Sequence, residues 1–286
     1  MRLAPAPGRD YRTDMRPTAF ALVLFIATVA GNGTAHAQQD PVSAWAGIPE
    51  AEVRLIAGHV PGEGDMLGLH FVLADEWKTY WRSPGDAGLP PVPDWTASSG
   101  LGRADLAWPL PERFDLYGLT TYGYHGEAVL PVRIERAPGE TTRIRLTLSY
   151  AACAEVCVPI EAELALDLPA GPLPENRHGA AIASALARAP EQSPSGLTVE
   201  TLSAEGGELE ASFRTARPLS EPDLIVEGPR DLYFHNPRCE AVDLVTRCRM
   251  AIGGARDDIA LEGKRLILTL SGRDYAAEIP AVVGKR

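Results

Sequence analysis

From Arg143 to Leu168 the chain alternates apolar and polar side chains, broken once by Tyr150-Ala-Ala-Cys-Ala-Glu-Val-Cys-Val-Pro159. Before the break, Ile144, Leu146, Leu148 and Tyr150 alternate with Arg143, Arg145, Thr147 and Ser149. After it, Ala162, Leu164, Leu166 and Leu168 alternate with Glu161, Glu163, Ala165 and Asp167. A period of two this regular predicts two half-buried strands, with Cys153 and Cys157 in the loop joining them and outside a core. In one extended strand, residues four apart lie about 13 Å apart, whereas a disulfide needs Cα atoms about 4.4–6.8 Å apart. The segment must therefore turn, and the turn makes a short, accessible disulfide feasible.

The same pattern recurs along the chain. Strand-like segments fall near 51–57, 66–74, 127–134, 143–150 and 161–168. Pro169-Ala-Gly-Pro-Leu-Pro174 then interrupts the alternation, and an alanine-rich helix is expected over Arg177–Ala189, stopped by Pro190 and Pro194. Strand signals return at 197–202, 209–213, 224–226, 232–234, 266–270 and 275–279. The predicted architecture is all-β: two β-sandwiches, at 42–170 and 196–286, joined by a Pro/Ala-rich, partly helical linker at 171–195.

The beginning of the chain points to export. Met15-Arg16, the apolar run Ala19–Ala30 and the ending Thr34-Ala-His-Ala37 describe a signal peptide over residues 1–37, removed to leave Gln38 first. The apolar run is short for a bilayer, and nothing after it suits a membrane span. Removing the leader takes four arginines and two aspartates from 27 basic and 38 acidic residues. The remaining 249 residues hold 23 and 36, a net charge of −13. Such a balance argues against nucleic acid or anionic membranes as partners. All four cysteines survive processing into an oxidising compartment, where pairing as 153–157 and 239–248 is expected. Cys239 and Cys248 flank strand-like residues and are expected to form a structural cross-strand disulfide.

Residues 77–124 are less regular. They hold Trp77, Tyr80, Trp81, Trp95, Trp108, Phe114, Tyr122 and Tyr124, while Pro84, Pro90, Pro91, Pro93, Gly85 and Gly88 argue against a regular central strand. Most of these aromatics should fill a core, and Tyr80, Trp81 and Tyr122 are candidates to shield the cysteine loop. Three roles for Cys153 and Cys157 remain open on the residues alone: an inert staple, a thiol–disulfide exchange pair, or, with His125, a Cu(I) or zinc site. The metal role lacks a Cys-x-x-Cys or His-x-x-x-His companion. His59, His70, His178 and His235 are scattered and read as surface or core residues. No phosphate-binding glycine loop, Gly-x-Ser-x-Gly elbow or His-Glu-x-x-His motif supports a kinase or hydrolase reading.

Four segments together resemble one family. They are Tyr80-Trp-Arg-Ser-Pro-Gly-Asp-Ala-Gly-Leu-Pro-Pro91, Trp108-Pro-Leu-Pro-Glu-Arg-Phe114, Tyr122-Gly-Tyr-His-Gly-Glu127 and the cysteine segment itself. Residues 42–170 are similar to the periplasmic amino-terminal region of the thiol:disulfide interchange protein DsbD, especially its ScsB branch. The resemblance implies immunoglobulin-like sandwiches, a periplasmic location, and a redox-active pair at Cys153 and Cys157 that works without a cofactor. It implies that Cys157 forms the mixed disulfide and Cys153 resolves it. The implied partners are a thioredoxin-fold protein and a membrane electron carrier of the DsbD or CcdA type. The sequence contains no multi-span membrane domain and no thioredoxin domain, so those electrons would come from a separate polypeptide. The three-residue spacing is also narrower than in DsbD itself.

The function expected is therefore oxidoreductase-type thiol–disulfide interchange by an exported protein. The alternative is a non-catalytic adaptor, in copper tolerance or cytochrome maturation, whose disulfides are both structural.

Overall fold

The computed structural model describes residues 40–116, 118–229, 231–254 and 261–284. The leader expected over residues 1–37 lies outside the described residues.

Long alternating segments become long strands. The first half forms β1 (Ala46–Ile48), β2 (Ala51–Val60), β3 (Gly64–Leu73), β4 (Lys78–Gly85), β5 (Val92–Asp94) and β6 (Leu101–Leu106). It continues with β7 (Glu112–Leu116), β8 (Leu119–His125), β9 (Glu127–Arg136), β10 (Thr142–Cys153) and β11 (Cys157–Leu168). One sheet has the order β1-β2-β3-β9-β6, and the other β11-β10-β4-β8-β7 with β5 beside β10. Side chains of one parity from each strand meet between the sheets. Leu55, Leu69 and Leu130 from one sheet share a core with Trp81, Tyr122, Ile144, Leu146 and Leu164 from the other.

The expectation for residues 77–124 needs correction. β4 is a central strand, between β10 and β8, and it contains Pro84. Its pairing is partial, which is how the proline is accommodated. β4 meets β10 only at Lys78 and Thr79, and its register with β8 shifts between Tyr80 and Gly85. Pro84 thus falls in an irregular stretch where no ladder donor is required of it.

The alanine-rich segment forms α1 (Arg177–Leu186), three residues shorter than expected. Asn176 starts it, accepting from the Gly179 amide at 2.8 Å and donating to the Ala57 carbonyl at 3.1 Å. Gly179 lies so close to β2 that a Cβ there would approach the His59 carbonyl oxygen to 2.4 Å. Ile182 and Ala185 pack onto Ile56, Val60, Met66 and Val129, on the outer face of the first sheet.

The second half forms β12 (Glu191–Gln192), β13 (Leu197–Glu205), β14 (Glu208–Thr215), β15 (Asp223–Glu227) and β16 (Leu232–Phe234). It ends with β17 (Arg238–Val242), β18 (Val245–Gly254), β19 (Arg265–Gly272) and β20 (Tyr275–Val282). Sheets ordered β12-β20-β19-β15 and β13-β14-β18-β16, with β17 beside β18, enclose a second core around Phe213, Leu266, Leu268 and Leu270. Cys239 and Cys248 face each other across the β17–β18 hairpin and form a disulfide.

The two sandwiches belong to one compact unit, residues 39–286. Arg82 of β4 donates to both oxygens of Glu227 (3.1 and 3.2 Å from Nε, 2.6 Å from Nη2) and also to Glu278, while lying 4.4 Å over the Trp81 ring. Arg113 pairs with Asp223 at 2.9 Å, and Ile225 of the second half packs into the first core.

Candidate active site

β10 and β11 pair in unbroken register from Thr142↔Leu168 to Cys153↔Cys157, so the hairpin sets the two cysteines opposite each other at its tip. Ala154, Glu155 and Val156 close the loop, with the Ala154 amide donating to the Val156 carbonyl at 3.3 Å. The cysteines form a disulfide with Cα atoms 4.1 Å apart.

The two sulfur-bearing residues differ sharply in exposure. Cys153 is 1% exposed, whereas Cys157 is exposed and its neighbour Val156 is 70% exposed. The expectation that both cysteines sit outside a core therefore holds for Cys157 and fails for Cys153. The reason is strand parity. Tyr150 and Ala152 point into the sandwich core, while Ala151 and Cys153 point to the outer face and are buried there under Tyr80.

Tyr80 sits on β4 two residues beyond Lys78, which pairs directly with Cys153. Its hydroxyl donates to Cys153 Sγ at 2.7 Å and lies 3.4 Å from Cys157 Sγ. Burial pushes the Tyr80 pKa up, which keeps the phenol protonated and able to donate. The loop after β4 covers the ring. Gly88 adopts φ +108°, and a Cβ there would approach the Tyr80 ring to 2.2 Å, so only glycine lets this backbone lie flat on the tyrosine.

The other two shield candidates lie elsewhere. Trp81 is the next residue on β4 and therefore points to the opposite face, into the core. Tyr122 shares that inner face, stacking edge-on against Trp81 with centroids 6.4 Å apart and lying beneath Arg113 at 5.5 Å. Gly123, which pairs with Tyr80, stands on the outer face, and a side chain there would collide with the Thr79 carbonyl oxygen.

Two depressions lie along the β10–β11 hairpin, one at its tip and one farther down its strands. One, of about 500 Å³, is lined by Trp77, Lys78, Phe114, His125 and Ala154 among others. The other, of about 340 Å³, is lined by Leu89, Val92, Tyr150, Pro159 and Ile160 among others. Lys78 Nζ donates to Thr121 Oγ1 at 2.9 Å and lies 4.7 Å from the Phe114 ring centroid, and burial lowers its pKa. His125 is engaged with Glu112 at 3.0 Å. Among the described residues no group of three or more His, Cys, Asp or Glu is placed to hold a metal ion. The places of Lys78 and Gly88 at the site had no sequence signal, since neither a register between distant strands nor a ring-to-backbone contact has a local signature.

Residues 48–169 match the family described as thiol:disulfide interchange protein DsbD, N-terminal. Residues 188–286 match a domain of unknown function, DUF8393. A crystal structure of the N-terminal periplasmic domain of ScsB from Proteus mirabilis shares the fold across both halves. Its TM-score is 0.70 at 22% identity, with 86% of this chain and 100% of that chain covered. No curated protein matches the chain. The architecture is thus a pair of immunoglobulin-like sandwiches, the first of them matching the DsbD amino-terminal family and so related to modules of thiol–disulfide interchange. Among the described residues no helix is long and apolar enough to cross a membrane.

Proposed function

We propose that this protein relays electrons by thiol–disulfide exchange through Cys153 and Cys157, in the periplasm, between a membrane electron carrier of the DsbD or CcdA type and a thioredoxin-fold protein. The observation that carries this reading is the asymmetry of the disulfide: one exposed cysteine, and one buried cysteine whose sulfur accepts a phenol hydrogen bond.

Exchange proceeds by thiolate attack on a disulfide sulfur, and a leaving thiol departs faster when its thiolate is stabilised. A donor thiolate reaches Cys157, forms the mixed disulfide there and expels Cys153 as a thiolate. Tyr80 already donates to that sulfur, so the developing charge meets a placed donor. The donor's second thiol then attacks the mixed disulfide, leaving the donor oxidised and Cys153 and Cys157 reduced. In the onward step Cys157 attacks the partner's disulfide and releases one partner thiolate. Cys153 next attacks Cys157 Sγ and releases the second. Two electrons move in each half, and no cofactor is required. Cys157 is thus the partner-facing thiol and Cys153 the resolving one.

The test is to trap the mixed disulfide. Cys153→Ser should accumulate a covalent complex with a single-cysteine thioredoxin-fold protein on a non-reducing gel, and Cys157→Ser much less. A complex with Cys157→Ser alone would reverse the two roles. No complex with either variant, across several thioredoxin-fold proteins, would leave the disulfide a staple.

A further inference from the structure

The segment from Tyr80 to Pro91 carries both the phenol against the disulfide and the backbone that covers that phenol. It is held by the second sandwich at two separate places. The first is Arg82, two residues beyond Tyr80, whose guanidinium donates to Glu227 of β15 and Glu278 of β20. Both acceptors are shielded, with side chains 16% and 10% exposed, so this contact is more than a solvated surface pair.

The second place lies at the start of the covering loop. The Asp86 amide donates to the Thr120 carbonyl at 2.9 Å, and the Thr120 amide donates back to the Asp86 carboxylate at 2.7 Å. The Thr120 hydroxyl in turn donates to Asp115 at 2.7 Å. Asn236, between β16 and β17 of the second sandwich, donates from Nδ2 to both Asp115 oxygens at 3.1 Å, and its Oδ1 lies 3.3 Å from the Thr120 hydroxyl. Gly85 permits this closeness, since a Cβ there would approach the Thr120 carbonyl oxygen to 2.4 Å. One segment is therefore tied down on both sides of Ser83 and Pro84, the stretch where its own strand pairing fails.

We propose that the second sandwich is a clamp on the redox site: by fixing Arg82 and, through Asp115 and Thr120, Asp86, it holds Tyr80 and its covering loop against the Cys153–Cys157 disulfide. The second sandwich thereby sets how readily the pair reacts without contributing a reacting group. The clamp deepens the exchange reading and rests on it for its biological meaning. The physical coupling is measurable on its own, because a small thiol reduces the disulfide whether or not a protein partner exists.

The experiment uses the full chain and dithiothreitol under native conditions, with each disulfide followed by alkylation and peptide mass spectrometry. Asn236→Ala removes a partly solvated contact on the second sandwich and leaves every group of the site in place. It should speed reduction of Cys153–Cys157 by about fivefold, the factor that one net hydrogen bond is worth. Glu227→Gln, which keeps the side-chain shape, weakens the grip on Arg82 beside Tyr80 and should instead slow that reduction, because the hydroxyl that stabilises the departing Cys153 thiolate is held less firmly. Cys239–Cys248, in the same molecule, reports global opening and should keep its wild-type rate. An unchanged rate at Cys153–Cys157 in both variants would overturn the clamp. So would equal acceleration of both disulfides, since that is loss of the fold. Wild-type protein that fails to exchange with any thioredoxin-fold protein would instead remove the exchange reading, and the dithiothreitol rates would still decide the clamp.

Discussion

Replacing Tyr80 with phenylalanine separates two roles that the tyrosine combines. The ring, fully buried beneath Gly88, remains, while the hydroxyl that donates to Cys153 Sγ at 2.7 Å is lost. A hydrogen bond to a charged group contributes about 1.5–3 kcal/mol, so the departing Cys153 thiolate should be destabilised by about that much. Taking a sensitivity to leaving-group pKa similar in size to the nucleophile's coefficient of about 0.4–0.5, attack on Cys157 should slow by roughly threefold to tenfold. The assay is the rate of disulfide reduction by a small thiol at constant pH, with Cys239–Cys248 as the internal reference. The sign decides the matter. Faster reduction would mean that the hydroxyl acts chiefly as a barrier to the sulfurs, and an unchanged rate would mean that it does not stabilise the departing thiolate; either refutes the donor role.

Three further outcomes are expected. Replacing Cys239 and Cys248 together with alanine should lower unfolding stability by about 2–4 kcal/mol in denaturant titration while exchange through Cys153–Cys157 continues. Loss of exchange at unchanged stability would show that the chemistry was placed on the wrong pair. Gly88→Ala forces both an unfavourable backbone angle and a collision with Tyr80, so the covering loop must lift. Cys153–Cys157 should then become more accessible to small thiols, with protection equal to wild type as the contrary result. Alkaline pH should unfold the protein through its tyrosines. Burial raises the Tyr80, Tyr124 and Tyr150 pKa values above the usual 10.0, Tyr150 to about 12. A raised folded pKa gives stability that is complete below pH 10 and is lost as pH climbs from there toward the folded values. Tyrosinate absorbance should therefore rise together with unfolding, and free titration of these phenols near pH 10 in folded protein would contradict their burial.

How far the sequence exposed this design varies from element to element. The hairpin of β10 and β11 was legible because each strand has one wet face and one dry face, which fixes both parity and register. The opposition of Cys239 and Cys248 was legible from the strand-like residues between them, but β17 and β18 fell outside the expected strand segments, and β17 has no buried face to mark it. β4 was obscured, because Pro84 and Gly85 argue against a central strand, and only the shift in its pairing with β8 makes one feasible. That single obscurity hid most of the site. Without the register of Lys78 against Cys153, nothing in the sequence tells which of the adjacent Tyr80 and Trp81 faces the sulfurs. The burial of Cys153 was hidden likewise, since its cover comes from β4 and not from its own hairpin. The contacts of Arg82 with Glu227 and Glu278 join residues more than a hundred positions apart, and ion pairs at that range leave no periodic trace.

The most direct test of the relay is the equilibrium reduction potential of Cys153–Cys157, measured against a thiol buffer with alkylation of each state. Exchange requires a potential above about −300 mV, within the range of thioredoxin-fold proteins, with Cys239–Cys248 lying lower. A Cys153–Cys157 potential below about −300 mV would mark both disulfides as structural and contradict the relay.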